Sequence, residues 1–191
     1  MPFNLPIALT WLRVAAIPLV VAVFYLPDSW LTPFDKNLTA TVIFIFAAVT
    51  DWLDGFLARK MKQESAFGQF LDPVADKLIV AAALLVLLNM DRVQVWVALI
   101  IIGREITISA LREWMALLGA GKSVAVHMVG KLKTTAQLVA IPFLLLNDTI
   151  FGWLNCAQVG TCLIWIASFL TLWSMFYYMK KALPQLVEKA D

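Results

Sequence analysis

The chain has 191 residues, 62% of them hydrophobic and 15% charged, with a formal net charge of +2. That composition is too apolar for a water-soluble domain, and the length suits one domain rather than several. A nucleic-acid partner is excluded as well, because the basic residues flank apolar runs and form no compact basic domain.

We therefore expect residues 1–191 to form a single integral membrane domain, all-α, with six transmembrane helices and a short N-terminal interfacial segment. Met1 to Thr10 mixes Pro2, Asn4 and Pro6 with apolar residues and is expected to lie in the interface plane. It has neither a basic leader region nor a small-residue cleavage site, so no signal peptide is expected and the first span is retained. Apolar runs follow at 7–27, 38–58, 70–90, 93–113, 133–147 and 157–179. Most approach the ~20 residues that a helix needs to cross ~30 Å of hydrocarbon. The fifth is short and is expected to begin nearer Val124, carrying polar residues into the membrane. Pro27, Pro33 and Pro73 mark span ends, while Pro18 and Pro142 fall inside spans, where they kink a helix. Trp11, Trp30, Trp96, Trp114, Trp153 and Trp173 read as an aromatic belt.

Sidedness comes from the loops. Arg59, Lys60, Lys62, Arg112, Lys122, Lys131, Lys133, Lys180, Lys181 and Lys189 fall after spans two and four and in the C-terminal tail. Only Lys36 and Arg92 fall in the alternate loops. This asymmetry predicts that both termini are cytoplasmic. Cys156 and Cys162 are six apart, on different faces of a helix, and read as free packing thiols. With His127 the single histidine, no Cys/His metal site can be assembled.

Against this background Asp51, Asp54, Asp72 and Asp76 are conspicuous. Carboxylates at membrane depth are costly and mark a functional site by default. At ~100° per residue, Asp51, Asp54, Gly55 and Ala58 share one helix face. Gly68, Asp72 and Asp76, four apart, form a stripe on the next helix. Two antiparallel neighbours joined by a short loop would bring both stripes to the same, cytoplasmic depth. Oxygen donors alone suit Mg²⁺ or Mn²⁺, with two ions stabilising attacking and leaving oxygens of a phosphoryl displacement. Asp76, deepest on its stripe, is the candidate base. The competing structural reading is a buried ion-pair network with Arg59 and Lys77.

A second cluster comprises Arg104, Glu105, Arg112 and Glu113, then Lys131, Lys133, Thr134 and Thr135. Arg112 with Lys131 could hold a phosphate-bearing substrate, Arg as a bidentate fork and Lys as a point charge. Alternatively Arg112 pairs with Glu105 or Glu113, and the lysines only set topology.

The run Asp51–Asp76 resembles the signature of the CDP-alcohol phosphotransferase family: Asp-x-x-Asp-Gly-x-x-Ala-Arg, eight residues, Gly-x-x-x-Asp-x-x-x-Asp. Every fixed position is filled, by Asp51, Asp54, Gly55, Ala58, Arg59, Gly68, Asp72 and Asp76. The likeness extends over essentially the whole chain and is greatest to the bacterial phosphatidylglycerophosphate synthases within that family. It includes Phe3-Asn4-Leu5-Pro6 with Leu9-Thr10 and Arg13, then Gly103-Arg104-Glu105, Ala110 to Trp114, and Gly130 to Thr135. Ile7 departs from the second Asn that many members carry, so no ligand role is assigned there.

The resemblance implies a six-helix enzyme of the bacterial cytoplasmic (inner) membrane, usually a homodimer. The implied reaction moves a phosphatidyl group from CDP-diacylglycerol to sn-glycerol 3-phosphate with release of CMP. It further implies that Asp51, Asp54, Asp72 and Asp76 ligate the metals and that Asp76 is also the base. Gly55, Ala58, Arg59 and Gly68 fall, with Asp51, where the family holds the nucleotide. Arg112, Lys131 and Lys133, with Arg104, are assigned to the acceptor phosphate. Other expectations stay open: another alcohol acceptor such as inositol phosphate or serine, a divalent-cation transporter, or a scaffold with an internal ion-pair network.

Overall fold

The computed structural model describes residues 5–61, 66–117, 128–150 and 152–190, which form six α-helices and one small hairpin. They are α1 (Leu5–Ala22), α2 (Pro33–Met61), α3 (Ala66–Asn89), α4 (Val95–Leu117), α5 (Met128–Leu146) and α6 (Cys156–Ala190), with β1 (Thr149–Ile150) antiparallel to β2 (Leu154–Asn155) before α6. The expected interfacial segment is only partly separate: Leu5–Thr10 already belong to α1, and Met1–Asn4 lie outside the described residues.

Local sequence explains the helix ends. Thr32 and Asp35 cap α2 reciprocally: the Asp35 N–H donates to Thr32 Oγ1 at 3.2 Å and the Thr32 N–H to Asp35 Oδ2 at 3.3 Å. Pro33 then occupies the first helical position, where no N–H is needed. α5 stops at Asn147, which takes the left-handed conformation (φ 50°) common just past a helix end. Arg92, in the α3–α4 turn, donates to the C-terminal carbonyls of α5 at Leu144 (3.2 Å) and Leu145 (2.7 Å) and to Asn37 Oδ1 of α2 (2.9 Å). One guanidinium thereby ties together three elements at this end of the bundle. Asn155 Oδ1 accepts from the Gln158 N–H at 3.1 Å and starts α6.

The helices pack through small residues that let backbones approach. Ala16, Ala40, Ala47 and Ala83 are buried beside Val20, Phe44, Leu84, Leu87, Ile141 and Leu144 in one core. The most extensive pairing is α5 with α6. α1 packs on both α2 and α3, while α2 and α3 touch each other at few places, so α1 largely separates two helices expected to be direct neighbours. The outward surface is apolar and aromatic, with Trp30, Trp52, Trp96, Trp153 and Trp173 all exposed. Outward-facing tryptophan and leucine in such number suit a lipid environment. Cys156 and Cys162 are both free thiols.

Among the described residues three helices are long and apolar enough to cross a membrane, over Ala8–Tyr25, Pro33–Leu53 and Cys156–Lys180. α5 offers the shorter run Leu132–Leu146. α3 and α4 fall short of the expected uninterrupted spans for a chemical reason: Asp72, Asp76 and Lys77 break one apolar run, and Arg104 and Glu105 the other.

α5 and α6 approach closely at Gly160. A Cβ there would lie 2.7 Å from Leu144 Cγ and 3.0 Å from the Leu144 backbone nitrogen. Leu144 is itself buried, so neither side can yield. Gly160→Ala should cost about 1–3 kcal/mol through overpacking. Gly103→Ala, whose Cβ would meet nothing within 4 Å, should cost nothing. Thermal unfolding in detergent checks the contrast, since equal melting temperatures for the two variants would contradict this packing.

Candidate active site

The site is organised by α1. Thr10 and Arg13 are one turn apart and face the same way. Arg13 is fully buried, and its Nη1 lies 2.9 Å from Asp51 Oδ1 of α2 and hydrogen-bonds Asp76 Oδ1 of α3. Thr10 Oγ1 donates to Asp72 Oδ1 at 2.6 Å. Three of the four predicted aspartates are thus collected from two helices onto one face of a third. Of the two expected partners, Lys77 lines the neighbouring cavity and the side chain of Arg59 lies outside the described residues. Among the described residues the cation between Asp51 and Asp76 is Arg13. Missing it is understandable, because nothing local in the sequence ties α1 to positions some forty and sixty residues away. The available signal was an arginine within an apolar span.

The burial of the two sides differs. The Arg13 side chain is 1% exposed, whereas those of Asp51 and Asp76 are 43% and 44% exposed. The cation is sealed behind carboxylates that remain open to the cavity in front of them. Their chemistry fits a divalent cation: the donors are all hard oxygens, and Asp51 and Asp76 already converge on a single positive nitrogen. Among the described residues no three ligating side chains stand close enough together to hold an ion. The side chain of Asp54 lies outside the described residues, as do those of Gly55, Ala58, Arg59 and Lys131. Gly68 lies on α3 one turn before Asp72.

A cavity of about 240 Å³ opens beside this cluster, between α1, α2, α3, α4 and α5. Arg13, Asp51, Asp76, Lys77, Glu105 and Thr134 contribute charge and polarity; Phe44, Ala47, Ile79, Val80 and Leu138 line it with hydrocarbon. The second predicted cluster meets the same cavity through Glu105, whose Oε1 accepts from Lys133 Nζ of α5 and, at 3.1 Å, from Arg104 Nη1. Arg104 also donates to Ser174 Oγ of α6 at 3.3 Å. Two cations therefore share one carboxylate at the cavity wall. Arg112 stands apart. It is exposed, and its guanidinium lies 5.8 Å from the centre of the buried Tyr178 ring, which Arg104 approaches from the same distance. The alternative in which Arg112 pairs with Glu105 is thus replaced by Lys133 and Arg104 on Glu105, with Arg112 over an aromatic face.

Residues 3–173 match the sequence profile described as CDP-alcohol phosphatidyltransferase. The chain belongs to this family. A CDP-alcohol phosphatidyltransferase relative from Escherichia coli (strain K12) is 51% identical over 192 residues, covering 99% of this chain and 100% of that protein. One from Shigella flexneri serotype 5b (strain 8401) matches with the same identity and coverage. Both bear the name CDP-diacylglycerol–glycerol-3-phosphate 3-phosphatidyltransferase.

The Arg13 arrangement makes Asp51 and Asp76 thermodynamically coupled. Asp51→Asn or Asp76→Asn alone removes one carboxylate from Arg13 and should cost about 1 kcal/mol. Losing both removes the charge pairing that the two aspartates give a buried guanidinium, for which about 3–5 kcal/mol is expected. Unfolding of the two single variants and the double variant tests this, and strict additivity would contradict the shared ion pair.

Proposed function

We infer that this family member transfers the phosphatidyl group of CDP-diacylglycerol to sn-glycerol 3-phosphate, releasing CMP, as an enzyme of phospholipid biosynthesis. The observation that carries this is Asp51, Asp72 and Asp76 gathered beside a largely apolar cavity with charged side chains in its wall. The end-to-end likeness to relatives bearing that reaction's name supports it.

In this reading residues 1–191 form one domain whose six helices cross the bacterial cytoplasmic membrane. Both termini and the carboxylates lie on the cytoplasmic side, and the protein works as a homodimer. The loop asymmetry of lysine and arginine supports that orientation. Asp51, Asp54, Asp72 and Asp76 would hold divalent cations, two Mg²⁺ or Mn²⁺ ions, which when bound neutralise the diphosphate as its bridging bond breaks. Asp51, Gly55, Ala58, Arg59 and Gly68 hold the cytidine nucleotide.

The acceptor arrives from water carrying a phosphate. Arg104 and Lys133 share the single carboxylate Glu105, so this wall carries surplus positive charge; Arg112 and Lys131 complete the proposed set. These four cations hold the acceptor phosphate. Asp76, half-open to the cavity, takes the proton from the acceptor's terminal hydroxyl. The freed oxygen attacks the phosphorus that bears diacylglycerol, the phosphoanhydride bond breaks, and CMP leaves. The acyl chains stay in the bilayer throughout.

Asp76→Asn should lower turnover at least ~100-fold, while CDP-diacylglycerol still binds; normal turnover would refute the base assignment. Arg112→Ala should raise the KM for glycerol 3-phosphate roughly tenfold or more and leave that for the lipid nearly unchanged. The reading as a whole is tested by CMP release from purified protein given CDP-diacylglycerol, Mg²⁺ and a panel of alcohols. Release with glycerol 3-phosphate alone, abolished by EDTA, is the expected outcome. Release with inositol phosphate or serine instead would keep the aspartate chemistry and overturn the acceptor.

A further inference from the structure

One polar group at the cavity has no function in the scheme above. Gln137 of α5 is 4% exposed and lines the cavity, and its Nε2 is buried without a hydrogen-bond partner. A buried amide donor left without a partner is destabilising. Such an orphan beside a cavity is a group waiting for an acceptor.

Its depth identifies the acceptor. On α5, Gln137 lies one turn beyond Lys133. On α2, Ala47 and Phe44 lie one and two turns beyond Asp51; on α3, Ile79 and Val80 lie one turn beyond Asp76. Gln137 therefore belongs to a layer of the cavity that is otherwise hydrocarbon, on the far side of the carboxylates from water. A charged, hydroxylated acceptor has no reason to enter that layer. The lipid donor must enter it, because immediately below its reacting phosphate come the glycerol carbons and two ester groups, then acyl chains. An ester carbonyl is an oxygen acceptor with no hydrogen to donate, which is the complement of a lone amide N–H.

Resting on the reaction proposed above, we propose that Gln137 is a specificity-determining residue, its side-chain amide donating a hydrogen bond to an ester carbonyl of CDP-diacylglycerol. The amide would thereby set the depth of the lipid, and with it the position of the phosphorus before Asp76. It would also let the enzyme distinguish acyl-linked from ether-linked lipids.

The test uses the full-length protein in detergent with CDP-diacylglycerol and its dialkyl ether analogue, which lacks both carbonyls. The wild type should show kcat/KM roughly three- to tenfold higher for the ester, the size of one lost hydrogen bond. Gln137→Met, similar in shape but without the donor, should lose that preference, raising KM for the ester while the KM for glycerol 3-phosphate stays put. Equal use of both lipids by the wild type would overturn the proposal without recourse to any variant. So would an ester preference that survives in Gln137→Met, or a change confined to the glycerol 3-phosphate KM, which would assign the amide to the acceptor. Absence of CMP release by the wild type with the ester lipid would instead remove the underlying reaction.

Discussion

A guanidinium sealed inside an apolar bundle has to be matched by carboxylates, and this requirement at Arg13 sets the arrangement of everything around it. Its charge cannot be shed, and an unpaired buried arginine would cost more than most contacts return. Asp51 and Asp76 must therefore both reach α1. This draws α2 and α3 against α1 and largely away from each other, leaving the space in front of the carboxylates as a cavity. The repulsion between the two carboxylates is contained by a positive charge that lies behind them and is closed to water.

The same bundle reconciles two solvents. The proposed reaction joins a water-soluble anion to a lipid, and such a cavity needs walls that change character along their length. Three helices make that change in step. Charged positions at Asp51, Asp76 and Lys133 give way one turn further in to the uncharged Ala47, Ile79 and Gln137. The charges that shorten the apolar runs of α3 and α4 belong to this layer. Departure from an ideal membrane span and construction of the site are one and the same feature.

Much of this was legible in the chain. The spacing of Asp51, Asp54, Asp72 and Asp76 carries its own geometry, because helical periodicity puts residues three and four apart on one face. Six helices follow from the apolar runs, with Pro33 marking the start of α2, whereas Pro73 falls inside α3 rather than at its end. What could not be read were pairings between distant segments. Arg13 with Asp51 and Asp76, and Lys133 rather than Arg112 with Glu105, depend on which helices touch, and periodicity within each helix says nothing about that. Gln137 escaped for a different reason: a single amide in an apolar run looks like any tolerated polar residue until its Nε2 is found without a partner.

The staple at Arg92 bears on how the protein moves. It fastens the end of α5, the start of α2 and the α3–α4 turn to one another, at the end of the bundle remote from the carboxylates. The close seating of Gly160 on Leu144 locks α5 to α6 near the same end. Helices fixed at one end can part only at the other, as the ribs of a fan spread about their rivet. In the proposed reaction, admission of a two-chained lipid and escape of its product then become small angular movements of long, stiff rods, amplified toward the carboxylate end, with the pivot left undisturbed through each turnover.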